Sequence, residues 1–344
     1  MTKTLRLAIR GFAVLLLTTL AQAQSYNVTD LGGVNSLGLA ISPSGNVVGE
    51  TDSSSGFFWS PSHGFLQLPG VLKGTFSEAT AINATGVIAG QATVNVQGFE
   101  LAHAVLWTNG KIKDLGTLTT LGQSWATGIN AAGQVTGAAN PYGSNPHAFL
   151  WTSATGIQDL GTLSGGSYST GLAINKFGQI AGYSDLASGV SVAFLWSKAT
   201  GMQDLATLPG GGGSSANAIN DFGQVAGGSS CGAACDHAVL WSKTRGSVQD
   251  LGVLPGTTFS NAYGMNNLGQ VVGAAGYISS YAHAFVWSQA GVMQDLNALI
   301  PANSGWLLLY AFAINDKGQI TGEGIVNGAM RAFLLTPVAR DRSN

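Results

Sequence analysis

Four histidines recur in one local context, and an aspartate follows each of them 11 to 13 residues later: His103 and Asp114, His147 and Asp159, His237 and Asp250, His283 and Asp295. An imidazole held by a carboxylate is the core of nucleophilic triads, and histidines are common metal ligands. A pair repeated four times, however, serves every copy alike, so its expected role is to tie two neighbouring strands. Cys231 and Cys235 stand four apart in Ser-Ser-Cys-Gly-Ala-Ala-Cys-Asp, with Asp236 and His237 as the only further ligands nearby. In an exported chain this spacing reads as a local disulfide, and no metal is expected. Phe76, Tyr168 and Phe259 each precede a repeated serine, and Trp125 follows one. Aromatic rings offer faces to sugar rings, while acids and amides bond hydroxyls. Acids in or beside the same stretches are Glu50, Asp52, Glu78, Glu100, Asp185, Asp236 and Glu323. The candidate ligand-binding residues are therefore Phe76, Trp125, Tyr168 and Phe259. No Gly-x-Ser-x-Gly elbow, His-Glu-x-x-His or phosphate loop occurs, so no catalytic residue is assigned and no cofactor is expected.

The elements that position these residues follow from composition and repetition. Of 344 residues, 50 are glycine and only 9% are charged, while 45% are apolar. That excludes a disordered polyampholyte. A net charge of −2 with no basic run excludes a nucleic-acid footprint. Lys3, Arg6 and Arg10, the apolar run 11–20 and Ala21-Gln22-Ala23 read as a secretory signal peptide over 1–23. No later stretch is apolar for long enough to span a membrane as a helix. The expected division is a signal peptide at 1–23, a repeat domain at 24–338 and a polar tail at 339–344.

Seven repeats of about 45 residues fill the repeat domain. Ala-Ile-Asn-x-x-Gly-Gln-Val-x-Gly has its Ile position at Ile41, Ile82, Ile129, Ile174, Ile219, Met265 and Ile314. Ala-Phe-Leu-Trp places tryptophan at 59, 107, 151, 196, 241 and 287, with Leu335 in the seventh copy. Asp-Leu closes six units, at Asp30, Asp114, Asp159, Asp204, Asp250 and Asp295, and Gln67-Leu68 fills the remaining slot. Asn-x-x-Gly between short apolar runs is a hairpin signal, because the Asn side chain caps the turn and Gly accepts positive φ. A second hairpin joins Phe-Leu-Trp to Asp-Leu, giving four short strands per unit. This predicts an all-β, seven-bladed β-propeller. The chain opens with a fourth-strand sequence at 26–31 and ends with a third-strand sequence at 331–335, so the N-terminal strand is expected to close the ring. The loops that vary in length all emerge on one face, where binding residues tend to lie.

His147-Ala-Phe-Leu-Trp151, His283-Ala-Phe-Val-Trp287 and the Asp-Leu-Gly-Thr-Leu of 114–118 and 159–163 resemble the HAF repeat of exported bacterial proteins. His103-Ala-Val105 and His237-Ala-Val239 are close variants, whereas Gly56, Val192 and Arg331 stand in place of histidine. The resemblance covers about 26–337. It implies export and a repetitive β fold, and brings no catalytic residues. The expected function is an exported, secreted, non-catalytic binding or scaffold propeller, monomeric, that binds a cell-surface or extracellular polysaccharide, or a cell-surface protein, through its variable-loop face. The alternative is a polysaccharide-active hydrolase or lyase that uses loop carboxylates.

Overall fold

The computed structural model describes residues 24–52, 55–69, 76–140, 145–232, 235–242, 247–276, 282–289 and 292–339. Residues 1–23, expected to be a signal peptide, and the tail beyond 339 lie outside the described residues. Seven four-stranded antiparallel sheets are arranged as the blades of a β-propeller. Blades I to VI occupy 36–67, 77–114, 123–159, 169–204, 214–250 and 259–295. In each, the strands lie in chain order from the innermost outward. Blade VII takes its first three strands from Trp306–Ile314, Ile320–Val326 and Ala329–Pro337. Its outermost strand is Tyr26–Asp30, with Tyr26 opposite Pro337 and Asp30 opposite Phe333.

The repeated residues explain why the blades form and stack. The third strand buries its Phe completely at Phe57, Phe149, Phe194, Phe285 and Phe333, and Trp107, Trp151, Trp241 and Trp287 are also buried. Each such side chain contributes about 1.5–3 kcal/mol of apolar burial. The Asn-x-x-Gly turns form as the composition requires. The Asn175 Oδ1 accepts the Phe177 and Gln179 N–H groups at 3.1 and 3.0 Å, and Gly178 has φ +74°.

Every inner strand contains a β-bulge at the same place, for example between Ala79 and Ala81, where the inner strand carries one extra, unpaired residue. The second-strand glycine faces this bulge. A Cβ at Gly90 would lie 1.9 Å from the Glu78 carbonyl oxygen, and one at Gly182 would lie 2.0 Å from that of Thr170. The same clash recurs at Gly49, Gly137, Gly227, Gly273 and Gly322, so only glycine admits the bulge.

Two side-chain ladders join the blades. The buried serine at the start of the inner strand accepts an N–H from the third strand of the preceding blade, as Ser169 does from Ala148 at 2.8 Å. It donates to the carbonyl of the glycine that follows Asp-Leu, as Ser169 does to Gly161 at 2.6 Å. In blade VII Leu309 replaces the serine, and Asn297 takes over by bonding both the N–H and C=O of Leu308. At the other end, the turn asparagines form a chain round the axis. Asn83, Asn130, Asn175, Asn220 and Asn266 each donate Nδ2–H to the backbone carbonyl of the next asparagine, and Asn315 donates to that of Ser42. Ser42 has no amide to continue the chain to Asn83.

Candidate functional site

The inner strands enclose the central channel, and their alternation decides what lines it. The repeated Ser and the Gly or Ala two residues on pack between blades. The intervening positions are half-buried and face the axis. Towards the tight turns the channel is closed by Ile41, Ile82, Ile129, Ile174, Ile219, Met265 and Ile314, above a cavity of about 260 Å³ rimmed by the turn asparagines. The Ile and Met ring is apolar, whereas the rim around it is polar, with Lys176, Asp221, Asn267 and Asp316 beside the turn asparagines. The short turns there are uniform in length, but they are not uniform in surface. Blades IV, V and VI expose Phe177 (68%), Phe222 (58%) and Leu268 (69%), so variation is not confined to the loop face.

The loop-face mouth is different. Tyr310 pairs with Glu323 across blade VII, Leu37 with Glu50 across blade I and Glu78 with Gln91 across blade II. Three consecutive blades thus bring a carboxylate each to the same rim. Glu78 accepts the Gln91 amide at 2.5 Å. Glu323 is 9% exposed, and no hydrogen bond or ion pair to its carboxylate forms among the described residues. Burial pushes its pKa up to about 7. Burial and then the charge of Glu78 push Glu50 up to about 6. Both acids line a cavity of about 340 Å³ between blades VII and I, with Asn35, Leu37, Thr51, Asp52 and Met330.

Aromatic rings complete the rim on the other side. Tyr310 stacks on Phe312 at 5.9 Å with an interplanar angle of 4°, and Tyr263 lies 5.6 Å from Phe312 and 6.3 Å from Tyr310. Burial, then the charges of Tyr310 and Glu323, raise Tyr263 to about 12, so it stays a neutral hydroxyl donor. Amides continue the rim, with Asn217 Nδ2 donating to Asn261 Oδ1 at 3.1 Å and to the Ala262 carbonyl at 2.7 Å.

The four rings expected to bind a ligand lie near this rim without converging. Phe76, Trp125, Tyr168 and Phe259 are each half-buried, on blades II, III, IV and VI. Phe259 lines a cavity of about 320 Å³ with Asp236, Asn261 and Tyr263. Tyr168 stacks on Tyr183 at 5.7 Å and shares a 3.1 Å hydroxyl contact with it. Burial, followed by that hydrogen bond, raises Tyr183 to about 12. Trp125 pairs with Ala138 in the inner strand of blade III. The residues that do converge, Tyr263, Tyr310, Phe312, Glu50 and Glu323, occupy the axis-facing repeat positions. For the three rings the signal was the alternation within the inner strand, in which these positions vary between copies while their neighbours stay small; Glu50 and Glu323 stand on the second strands of blades I and VII.

The His–Asp pairs form in all four blades, with Nδ1 to Oδ2 distances of 2.9, 3.0, 2.9 and 2.7 Å. In three of them the aspartate also accepts the N–H of the glycine two residues on, as Asp159 does from Gly161 at 2.7 Å. Burial works against the Asp114 carboxylate, but the His103 hydrogen bond, the Gly116 N–H and the His103 charge outweigh it and lower its pKa. Identical geometry in four blades makes the pair a strand tie. Cys231 and Cys235 are joined as a disulfide, with Cα atoms 5.1 Å apart. Together with His237 they form a three-member group of potential metal ligands within 4.8 Å. The disulfide takes up both sulfurs, and the His237 Nδ1 is held by Asp250.

No protein-family model matches the chain, and no curated protein matches it. Solved structures do. Virginiamycin B lyase from Staphylococcus aureus superposes with a TM-score of 0.58 at 9% identity, covering 92% of this chain and 100% of that one. YCF48, solved with a D1 peptide, gives 0.51 at 10% identity over 94% and 98%. A prolyl endopeptidase gives 0.54 at 10% identity over 79% of this chain. The chain spans 56% and 42% of the length of two of the proteins it matches, the second being this endopeptidase. At these identities the likeness establishes the propeller fold alone.

Proposed function

We propose that this protein is an exported, non-catalytic binding propeller of the HAF-repeat kind that takes a polysaccharide at the loop-face mouth of its channel. The observation that carries the reading is the convergence of ring faces, carboxylates and amides from several blades on one rim: Tyr263, Tyr310 and Phe312 beside Glu323, Asn217 and Asn261. Stacking surfaces flanked by hydroxyl-bonding groups are what a sugar chain requires, and they sit on a scaffold held by its own ladders. The disulfide supports export, since such bonds persist in oxidising compartments. Affinity electrophoresis through gels containing neutral, acidic or basic polysaccharides tests the reading. Retardation by at least one polymer, abolished in Tyr310→Ala with Phe312→Ala while the melting temperature holds within a few degrees, is the expected result. Unretarded migration in every gel would reject it.

One observation favours a second reading, a polysaccharide hydrolase or lyase. Glu323 and Glu50 have pKa values of about 7 and 6, so one is a protonated acid while the other is a base near neutrality. Release of reducing ends or of unsaturated products, lost in Glu323→Gln, would establish it.

A further inference from the structure

The cavity between blades VII and I holds more acid than its surroundings balance. Its lining includes Glu50, Asp52 and Glu323, with Leu37 and Met330 as apolar walls. Asp52 is satisfied by the Asn35 amide at 2.7 Å. Glu323 is nine-tenths buried, borders the cavity and receives no hydrogen bond from any of the described residues. A carboxylate withdrawn this far from water without a protein partner is costly to ionise, and a cation in the cavity would lower that cost.

The groups packed round Glu323 do not supply that partner. On its own sheet Tyr310 lies opposite it, and Arg331 stands one pair further on, opposite Gly324. The Arg331 guanidinium donates to the Gly33 carbonyl at 3.1 Å. Blade VI contributes the neutral Tyr263, and blade I contributes Glu50 and Asp52, with the Glu78 charge beyond. With Arg331 engaged on Gly33, the titratable residues that line the cavity are all acids.

We infer that the cavity between blades VII and I binds a protonated primary amine on an amino-sugar unit, the ammonium seated between Glu323 and Glu50 and the sugar's C–H faces against Leu37 and Met330. This rests on the polysaccharide reading and narrows it to glycans bearing free amines. The apolar walls distinguish an organic cation from a metal ion, which would need oxygen ligands on all sides. The neighbouring Tyr310 and Phe312 rings are stacked flat, as the next sugar in a chain would require. The raised pKa values of both glutamates agree with a site that lacks its cation.

Calorimetric titration of the full mature protein at pH 7 with a glucosamine oligomer and with its N-acetylated counterpart tests the inference. Calcium and a lysine-amide peptide of similar length serve as further ligands. The free-amine oligomer should bind at least about tenfold more tightly than the acetylated one, and Glu323→Gln should remove that preference. Gln keeps the side-chain shape and removes a buried charge, so the fold is retained; Glu50→Gln should weaken binding in the same direction. Equal affinity for both oligomers overturns the amine site and leaves the polysaccharide reading standing. Binding of neither overturns the amine site, and retardation in the polysaccharide gels decides the broader reading separately. Tighter binding of calcium or of the lysine peptide overturns the amino-sugar assignment in favour of a metal or a basic protein segment.

Discussion

Asn175 shows how much of the ring's stability rests on one repeated side chain. It is 3% exposed and makes four side-chain hydrogen bonds. Two are accepted from Phe177 and Gln179 N–H within its own turn. The other two are donated, to the Gln179 Oε1 at 2.8 Å and to the Asn220 carbonyl of the next blade at 3.1 Å. Asn175→Ala removes all four. The Asn220 carbonyl keeps the Gly223 N–H, and the Phe177 N–H lies on an exposed turn, so solvent or protein partially replaces those losses. The Gln179 N–H has no such replacement. At about 1 kcal/mol for each net bond and 1–3 kcal/mol for an unsatisfied buried donor, the cost comes to about 2–4 kcal/mol. The complementary change is Ser42→Asn. Ser42 already accepts the Asn46 N–H at 3.0 Å, so an Asn there keeps the turn and supplies the missing donor to Asn83. It should stabilise by about 0.5–1 kcal/mol, since one net bond is gained and the Ser42–Ser44 hydroxyl contact is lost. Urea unfolding followed by tryptophan fluorescence reads both, with the m-value as the check that the unfolded states match. If Asn175→Ala stays within about 0.5 kcal/mol of wild type at unchanged m, the asparagine ladder contributes nothing and the argument fails.

Three further outcomes follow from the same structure. The pKa of Glu323 is raised from 4.5 to about 7, so the folded state binds its proton more tightly; its contribution to stability is full below about pH 4.5 and lost as pH rises through 7. In a dry site that would amount to about 3 kcal/mol, and water in the cavity reduces it to about 1–2 kcal/mol, so Glu323→Gln should be more stable than wild type at pH 8 and equal to it at pH 4 in thermal melts. Gly182→Ala should cost about 3 kcal/mol or more, because its Cβ would meet the Thr170 carbonyl oxygen at 2.0 Å, whereas Gly212→Ala, with nothing within 4 Å, should stay near neutral; chemical unfolding of the two compares them directly. Native protein should show no reactive thiol towards a maleimide, and replacing both Cys231 and Cys235 by serine should cost about 2 kcal/mol or less because the closed loop is short.

The sequence was readable wherever a residue acts inside its own repeat. The Asn-x-x-Gly hairpins, the buried Phe and Trp of the third strand, and the His–Asp tie all join residues at most 13 positions apart, and their types disclose their partners. What depends on the neighbouring blade was not readable. The asparagines' second bond and the serine staple arise only when strands some 20 to 49 residues apart are set side by side, and the bulge that makes Gly182 obligatory is a detail of backbone pairing within its own blade that residue types do not disclose. The mouth was half-visible for the same reason. Glu50, Glu78 and Glu323 were on the right face, but Tyr263 and Phe312 passed as strand residues, because which side of an inner strand meets the axis is decided by the bulge. Phe76, Tyr168 and Phe259 drew attention by standing before a repeated serine, a position next to the rim rather than on it.

The outermost strand of blade VII has a consequence for timing. Tyr26–Asp30 emerges from synthesis some 300 residues before the strand it completes, and the Gln24 amide bonds the Val338 carbonyl across 314 positions. Blades I to VI each contain all four of their strands and can form from local hairpins. The ring as a whole cannot lock until the last segment arrives, and Tyr26, buried to 2% in the finished molecule, has no home before then. Folding should therefore show an early phase of local hairpins and a slow final phase set by this one long-range pairing. Completion of the chain becomes a condition of stability: a polypeptide released short of residue 329 would keep an open sheet edge and an unpaired apolar strand, both of them marks by which proteases recognise an unfinished product.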